Sequence, residues 1–164
     1  MPHHGSYLWN LRQKVGHDHV LAPGASVLVL DEKDRVLLTR RTDSDVWCMP
    51  GGAAEIGSSF ASTAISELRE ETGLIAKEED LIAFACISRP DIHILRYSNG
   101  DVTHAFAMWF LLKNWSGTLA SCTDEVRELK FFSLSDPPMP LLKPTSHAIR
   151  LYLEYKRTGR FQIS

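Results

Sequence analysis

The chain lacks a cysteine framework, a marked excess of one charge and a long apolar run. Its three cysteines, Cys48, Cys86 and Cys122, lie far apart, and none forms a C-x-x-C pair. That spacing argues against a disulfide scaffold or a thiolate metal site, and it fits a reducing compartment, so a cytoplasmic location is expected. The longest apolar run, residues 105–112, is too short to span a bilayer as a helix, so no membrane association is expected. The opening residues Met1-Pro2-His3-His4-Gly5 hold no basic stretch leading into an apolar one, and no leader peptide is expected. The net charge is only −2, without a basic stripe, which disfavours nucleic acid as a partner. Repeats and low-complexity segments are absent as well.

What remains is an ordinary globular composition, 44% hydrophobic and 23% charged over 164 residues. The length suits one domain with its own core. Residues 7–15 carry Leu8, Leu11 and Val15 at helical spacing. Pro23-Gly24 reads as a break before a β-branched strand over residues 25–30. The polar turn 31–34 then leads to a second strand over 35–41, so the two are expected to form a hairpin. A loop over 42–50 closes on Pro50-Gly51-Gly52. Further strands are expected over 81–88, 92–97, 102–112 and 129–134. Asn99-Gly100 marks a hairpin between the third and second from last of these. A final helix is expected over 145–157, with Ala148, Leu151, Tyr152 and Tyr155 on one side. Strands on both sides of a central helix, with a closing helix, imply an α/β fold: a mixed β-sheet between helices.

The most informative element is a helix over residues 59–72. Ala61, Ala64, Ile65, Leu68 and Thr72 form its apolar stripe, and Gly73 is its expected C-cap. Glu67, Glu70 and Glu71 fall within an arc of roughly 100° on another face. Three clustered like charges repel one another. A hard divalent cation relieves that repulsion, and Mg²⁺ shares its oxygen shell between carboxylates and substrate phosphates. A solvated acidic face is the competing account of the same three residues.

Residues 52–74 resemble the signature of the Nudix (MutT-like) hydrolases, G-x5-E-x7-R-E-U-x-E-E-x-G-U with U a bulky aliphatic residue. Gly52, Glu67, Leu68, Glu70, Glu71, Gly73 and Leu74 match it. The resemblance extends in outline from Ala22 to Asp136. It implies the Nudix α/β/α sandwich as a single domain over residues 1–164. Within it, 1–20 would be an N-terminal extension, 51–74 the signature and 144–157 the closing helix. It implies hydrolysis of a nucleoside diphosphate linked to some group X, such as ADP-ribose, a nucleotide sugar or a nucleoside triphosphate, and a divalent cofactor, Mg²⁺ or Mn²⁺. A 5′-end RNA pyrophosphohydrolase would use the same chemistry. A homodimer is in keeping with the family, with residues 105–112 and the N-terminal segment as candidate contacts; a buried central strand explains the apolar run equally well.

On this resemblance the metal is assigned to Glu67, Glu70, Glu71 and the Gly51 carbonyl. A general base is sought among the helix glutamates, Glu125 and Glu128, with Glu125 preferred. Arg41, beside Arg40, is a candidate for substrate phosphate. Trp47 is a candidate for base stacking, with a place in the core as its competing role. His104 and the pair Asp91 and His93 have too little motif around them to be more than structural. The sequence departs from the signature twice: Ser58 stands at the first Glu position and Ser66 at the Arg position. Losing both partners of a braced pair strands no charge, and Ser58 is expected to cap the helix instead. A nucleotide-binding or regulatory module with reduced turnover is the alternative that these two serines raise.

Overall fold

The computed structural model describes residues 4–120 and 124–164. Cys122 lies outside the described residues. A helix α1 (Tyr7–Val15) precedes strand β1 (Val20–Val29). Then come β2 (Arg35–Arg41), β3 (Trp47–Cys48), β4 (Gly51–Ala53), helix α2 (Phe60–Thr72) and β5 (Leu74–Ile75). The second half holds β6 (Ile82–Ile87), the short helix α3 (Pro90–His93), β7 (Ile94–Arg96), β8 (Val102–Leu112), β9 (Ser116–Gly117) and β10 (Val126–Ser133). Helix α4 (Lys143–Thr158) and β11 (Gln162–Ile163) close the chain. The main sheet runs β11-β6-β8-β1-β4, with β7 paired to β8. It is mixed: β1 lies parallel to β8 and β11 parallel to β6, whereas β4 runs antiparallel to β1 and β6 antiparallel to β8. A second sheet, β10-β2-β3, is antiparallel.

Apolar side chains sort onto two faces. Ala25, Val27, Val29, Phe110 and Leu112 meet Ala64 and Leu68 of α2. Leu28, Phe84, Ile87 and Trp109 meet Ala148 and Tyr152 of α4. Alternation along β1 therefore feeds two cores from one strand. Strand β8, which holds the apolar run, lies between β6 and β1 at the centre of this sheet.

Four local expectations need correction. Pro23-Gly24 lies inside β1 rather than before it. Pro23 presents its carbonyl to the Ala54 amide, at the end of the β4 ladder, so its nitrogen faces an edge where no amide partner is needed. Strands β1 and β2 share only the bridge between Leu30 and Val36, because β4 takes the remaining edge of β1 and β2 is flanked by β10 and β3. Residues 92 and 93 belong to α3, so the strand expected over 92–97 begins only at Ile94. Ser59, not Ser58, caps α2: its hydroxyl accepts from the Ser62 amide at 3.0 Å, and the Ser62 hydroxyl accepts from the Ser59 amide at 2.9 Å. Ser58 is instead used in the preceding turn, where its amide donates to the Glu55 carbonyl.

Candidate active site

The site grows from the meeting of β4 with α2. Gly51 has a φ of 156°, and a Cβ there would run into Ser26 and the Ala25 carbonyl at 2.5 Å. At Gly52 a Cβ would overlap the Glu67 carboxylate itself. The two glycines therefore let β4 lie flat against β1 while the acidic side chains of α2 rest on top of it. Gly73, in the left-handed region with φ of 73°, ends α2 as expected.

The three helix acids do not share one environment. Glu70 is exposed, Glu67 half-buried and Glu71 buried at 6% exposure. Glu71 is adjacent to Leu68 and Thr72 on the inward face, so the acidic arc is tilted into the protein rather than held clear of the apolar stripe. The Gly51 amide donates to a Glu71 oxygen at 3.2 Å. Burial, reinforced by the Glu67 charge and then Glu125, pushes the Glu71 carboxyl up to about 8, against the opposing effects of the Gly51 amide and Arg41. Burial likewise pushes Glu67 up to about 7, with Glu70, Glu125 and Glu55 adding to the effect. Burial and neighbouring carboxylates thus both disfavour ionisation of these two acids.

Glu125 lies on the loop that enters β10. Its carbonyl accepts from the Thr42 amide at 2.9 Å, and its charge is felt by both Glu67 and Glu71. Glu128 turns elsewhere, to Arg40 at 3.5 Å. Arg40 also pairs with Asp45 at 2.8 Å. Arg41 is largely buried and forms a two-pronged bond to Asp43, at 2.9 and 2.7 Å. That bond raises the Arg41 pKa and draws Asp43 down to about 2. The positive charge of Arg41 acts to lower the pKa of both Glu71 and Tyr97, so Arg41 lies near the acidic helix.

Trp47 is 5% exposed and packs edge-to-face on Phe132 with ring centroids 4.8 Å apart. It belongs to the α4-side core, across the sheet from α2, so the structure gives it the core role and not a stacking face in the cleft. His104 bonds the Ser88 carbonyl at 2.6 Å. His93 faces the Ile87 carbonyl at 3.1 Å, while Asp91 pairs with Arg89 at 2.7 Å, so these two do not form a site. Cys48 is buried, and burial pushes its thiol up to about 11. Ser58 and Ser66 are both exposed, and their positions strand no charge.

Residues missed in the sequence are Asp43, Tyr97 and Glu55. Asp43 and Tyr97 reveal themselves only through Arg41. Glu55 was visible as an acid four residues after Gly51, but it falls at a variable position of the signature. Among the described residues no three His, Cys, Asp or Glu side chains stand pre-assembled as a metal cage. The donor chemistry nonetheless suits a hard divalent ion: every acidic group here offers oxygen, and Glu67 already rests in the cradle left open by Gly52.

An α/β fold that gathers carboxylates beneath a Gly-Gly turn defines the class of acidic-helix, oxygen-donor sites suited to phosphate chemistry. The comparisons are specific: the NUDIX domain matches residues 20–153, and the chain belongs to the Nudix family. It is 32% identical over 122 residues to the ADP-ribose pyrophosphatase of Methanocaldococcus jannaschii, covering 72% of this chain and 66% of that protein. It is 31% identical over 106 residues to the RNA pyrophosphohydrolase of Sphingopyxis alaskensis, covering 60% and 67%. Among the leading curated relatives, the chain thus spans less than two thirds of the archaeal protein's length. A MutT NUDIX hydrolase from Burkholderia pseudomallei has the same fold, with a TM-score of 0.67 at 21% identity over 80% of this chain and 97% of that one. The chain belongs to a family whose curated relatives here carry the names pyrophosphatase and pyrophosphohydrolase. Among the described residues no helix is long and apolar enough to cross a membrane.

Proposed function

We propose that the chain is one catalytic domain that hydrolyses the diphosphate linkage of a nucleoside diphosphate joined to a group X, using Mg²⁺ or Mn²⁺. The observation that carries this reading is the pair Glu67 and Glu71, packed against Gly52 and Gly51, with ionisation of each opposed by burial and by neighbouring carboxylates. Glu67, Glu70, Glu71 and the Gly51 carbonyl would hold the ion. Bound there, the ion would acidify a water and neutralise charge on the attacked phosphorus. Glu125 would take the proton of the attacking water. The water oxygen bonds to phosphorus, the bridging P–O bond breaks, and the two phosphate products separate with X on one of them. Arg41, held by Asp43, would bind the phosphate oxygens. The archaeal ADP-ribose pyrophosphatase and the RNA pyrophosphohydrolase relatives supply the two substrate classes to test first.

The test is a screen of ADP-ribose, nucleoside triphosphates, dinucleoside polyphosphates, nucleotide sugars and 5′-triphosphate RNA with Mg²⁺ and with Mn²⁺. Metal-dependent release of a nucleoside monophosphate, or of phosphate or pyrophosphate from the RNA 5′ end, supports the reading. Nucleotide binding with no product from any substrate would move the chain to the binding-module alternative raised by Ser58 and Ser66.

A further inference from the structure

Helix α1 is fastened to the domain at two polar points. Its apolar residues Leu8, Leu11 and Val15 are only half-buried, and its one buried residue is Arg12. The Arg12 guanidinium donates to the Val102 carbonyl at 2.8 Å and to the Thr103 hydroxyl at 3.1 Å, beside Asp101 at 3.6 Å. At the other end, the Tyr7 amide points at both carboxylate oxygens of Glu55, at 2.9 and 3.1 Å. Tyr7 is the first residue of α1, so Glu55 satisfies an amide that the helix itself leaves unpaired. An element secured by so little apolar burial lies at the low end of local stability.

Glu55 also belongs to the loop that leads from β4 into α2. It follows Gly52, on which Glu67 rests, by three residues. The loop backbone is pinned on both sides, by the Ala54 amide on the Pro23 carbonyl and by the Ser58 amide on the Glu55 carbonyl. The side chain is exposed, beside a crevice of about 330 Å³ between α1 and residues 55–56. Its charge already acts on Glu67.

We propose that Glu55 is shared between two positions: without a cation it latches α1 through Tyr7, and with a cation on the acidic helix it turns to the ion and frees the first turn of α1. This rests on the metal-site reading above. An amide offers a partial positive charge, whereas a divalent ion offers two full ones, so the ion wins the carboxylate. Ser6, whose hydroxyl accepts from the Trp9 amide, keeps the helix from unravelling. Metal occupancy thereby opens the crevice beside the cleft.

Mn²⁺ serves as the probe, with affinity read from the electron paramagnetic resonance signal of free Mn²⁺. Hydrogen exchange is read at the Tyr7 amide. In the wild type, saturating Mn²⁺ raises exchange there roughly fivefold. Glu55→Ala, which removes the acceptor, shows raised exchange before Mn²⁺ is added, no further change afterwards, and Mn²⁺ affinity weakened roughly fivefold. Tyr7→Pro, which removes the amide at a position where proline is at home in a helix, tightens Mn²⁺ by a similar factor because the competitor is gone. Wild-type exchange that ignores bound Mn²⁺, or affinities unchanged in both variants, overturns the inference while leaving the metal site intact. A wild type that binds no Mn²⁺ overturns the metal-site reading itself.

Discussion

The amide of Gly51 donates to the carboxylate of Glu71 across 3.2 Å, tying the Gly-Gly turn to the last turn of the acidic helix. This single amide does not offset burial beside Glu67, and the Glu71 pKa stays near 8, with Glu67 near 7. Both lie above the unfolded value of about 4.3 for glutamate. Folding thus favours the protonated acids. Their contribution to stability is present in full below the unfolded pKa and is lost as pH rises through the folded values. The melting temperature of the metal-free protein is expected to fall between about pH 4 and pH 8, less steeply in Glu71→Gln, and added Mg²⁺ should restore it. A flat melting profile in the metal-free wild type would count against the buried pair.

The two glycines of the turn separate fold from site. Gly51→Ala meets the backbone of Ala25 and Ser26, which cannot step aside, and should cost about 1–3 kcal/mol in denaturant unfolding. Gly52→Ala meets only the end of the Glu67 side chain. It should stay folded, with stability within about 1 kcal/mol of wild type, yet lose metal affinity by about tenfold because Glu67 is displaced. Calorimetric titration with Mg²⁺ on both variants checks the contrast.

Arg41 and Asp43 act as a unit. Arg41→Lys keeps the charge and loses the two-pronged geometry, so KM should rise by about tenfold with a smaller effect on kcat. Asp43→Asn should raise KM in the same direction by releasing Arg41. Steady-state kinetics on the preferred substrate decides this, and a change confined to kcat would contradict a phosphate-binding role.

The thiols should differ in reactivity. Cys48 is buried with its pKa pushed up to about 11, whereas Cys86 is only half-buried. In native protein at neutral pH, iodoacetamide should modify Cys86 well before Cys48, as read by peptide mass mapping.

The acidic helix was legible in the sequence because its apolar period and the spacing of its acids are both local. So were α1, α4 and the β7–β8 hairpin. The tilt of Glu71 into the protein was not, since it depends on how α2 lies over Ala25 and Val27. The missing β1–β2 hairpin has a similar cause: which strand takes a free edge is decided by partners distant in sequence, here β4 and β8. Trp47 illustrates the limit for side chains. Its position next to the Gly-Gly loop allowed base stacking, with a place in the core as the stronger reading, and the structure places it in the core opposite α2. Glu55 escaped notice because its partner, the Tyr7 amide, is 48 residues away.

The central claim is that Glu67 and Glu71 hold a catalytic divalent ion, and the most direct measurement is product release by wild type, Glu67→Gln and Glu71→Gln over a Mg²⁺ titration. The account predicts turnover that requires Mg²⁺ in the wild type and falls by about 100-fold or more in each variant, with both variants still folded by circular dichroism. Full metal-dependent turnover in either variant would contradict it.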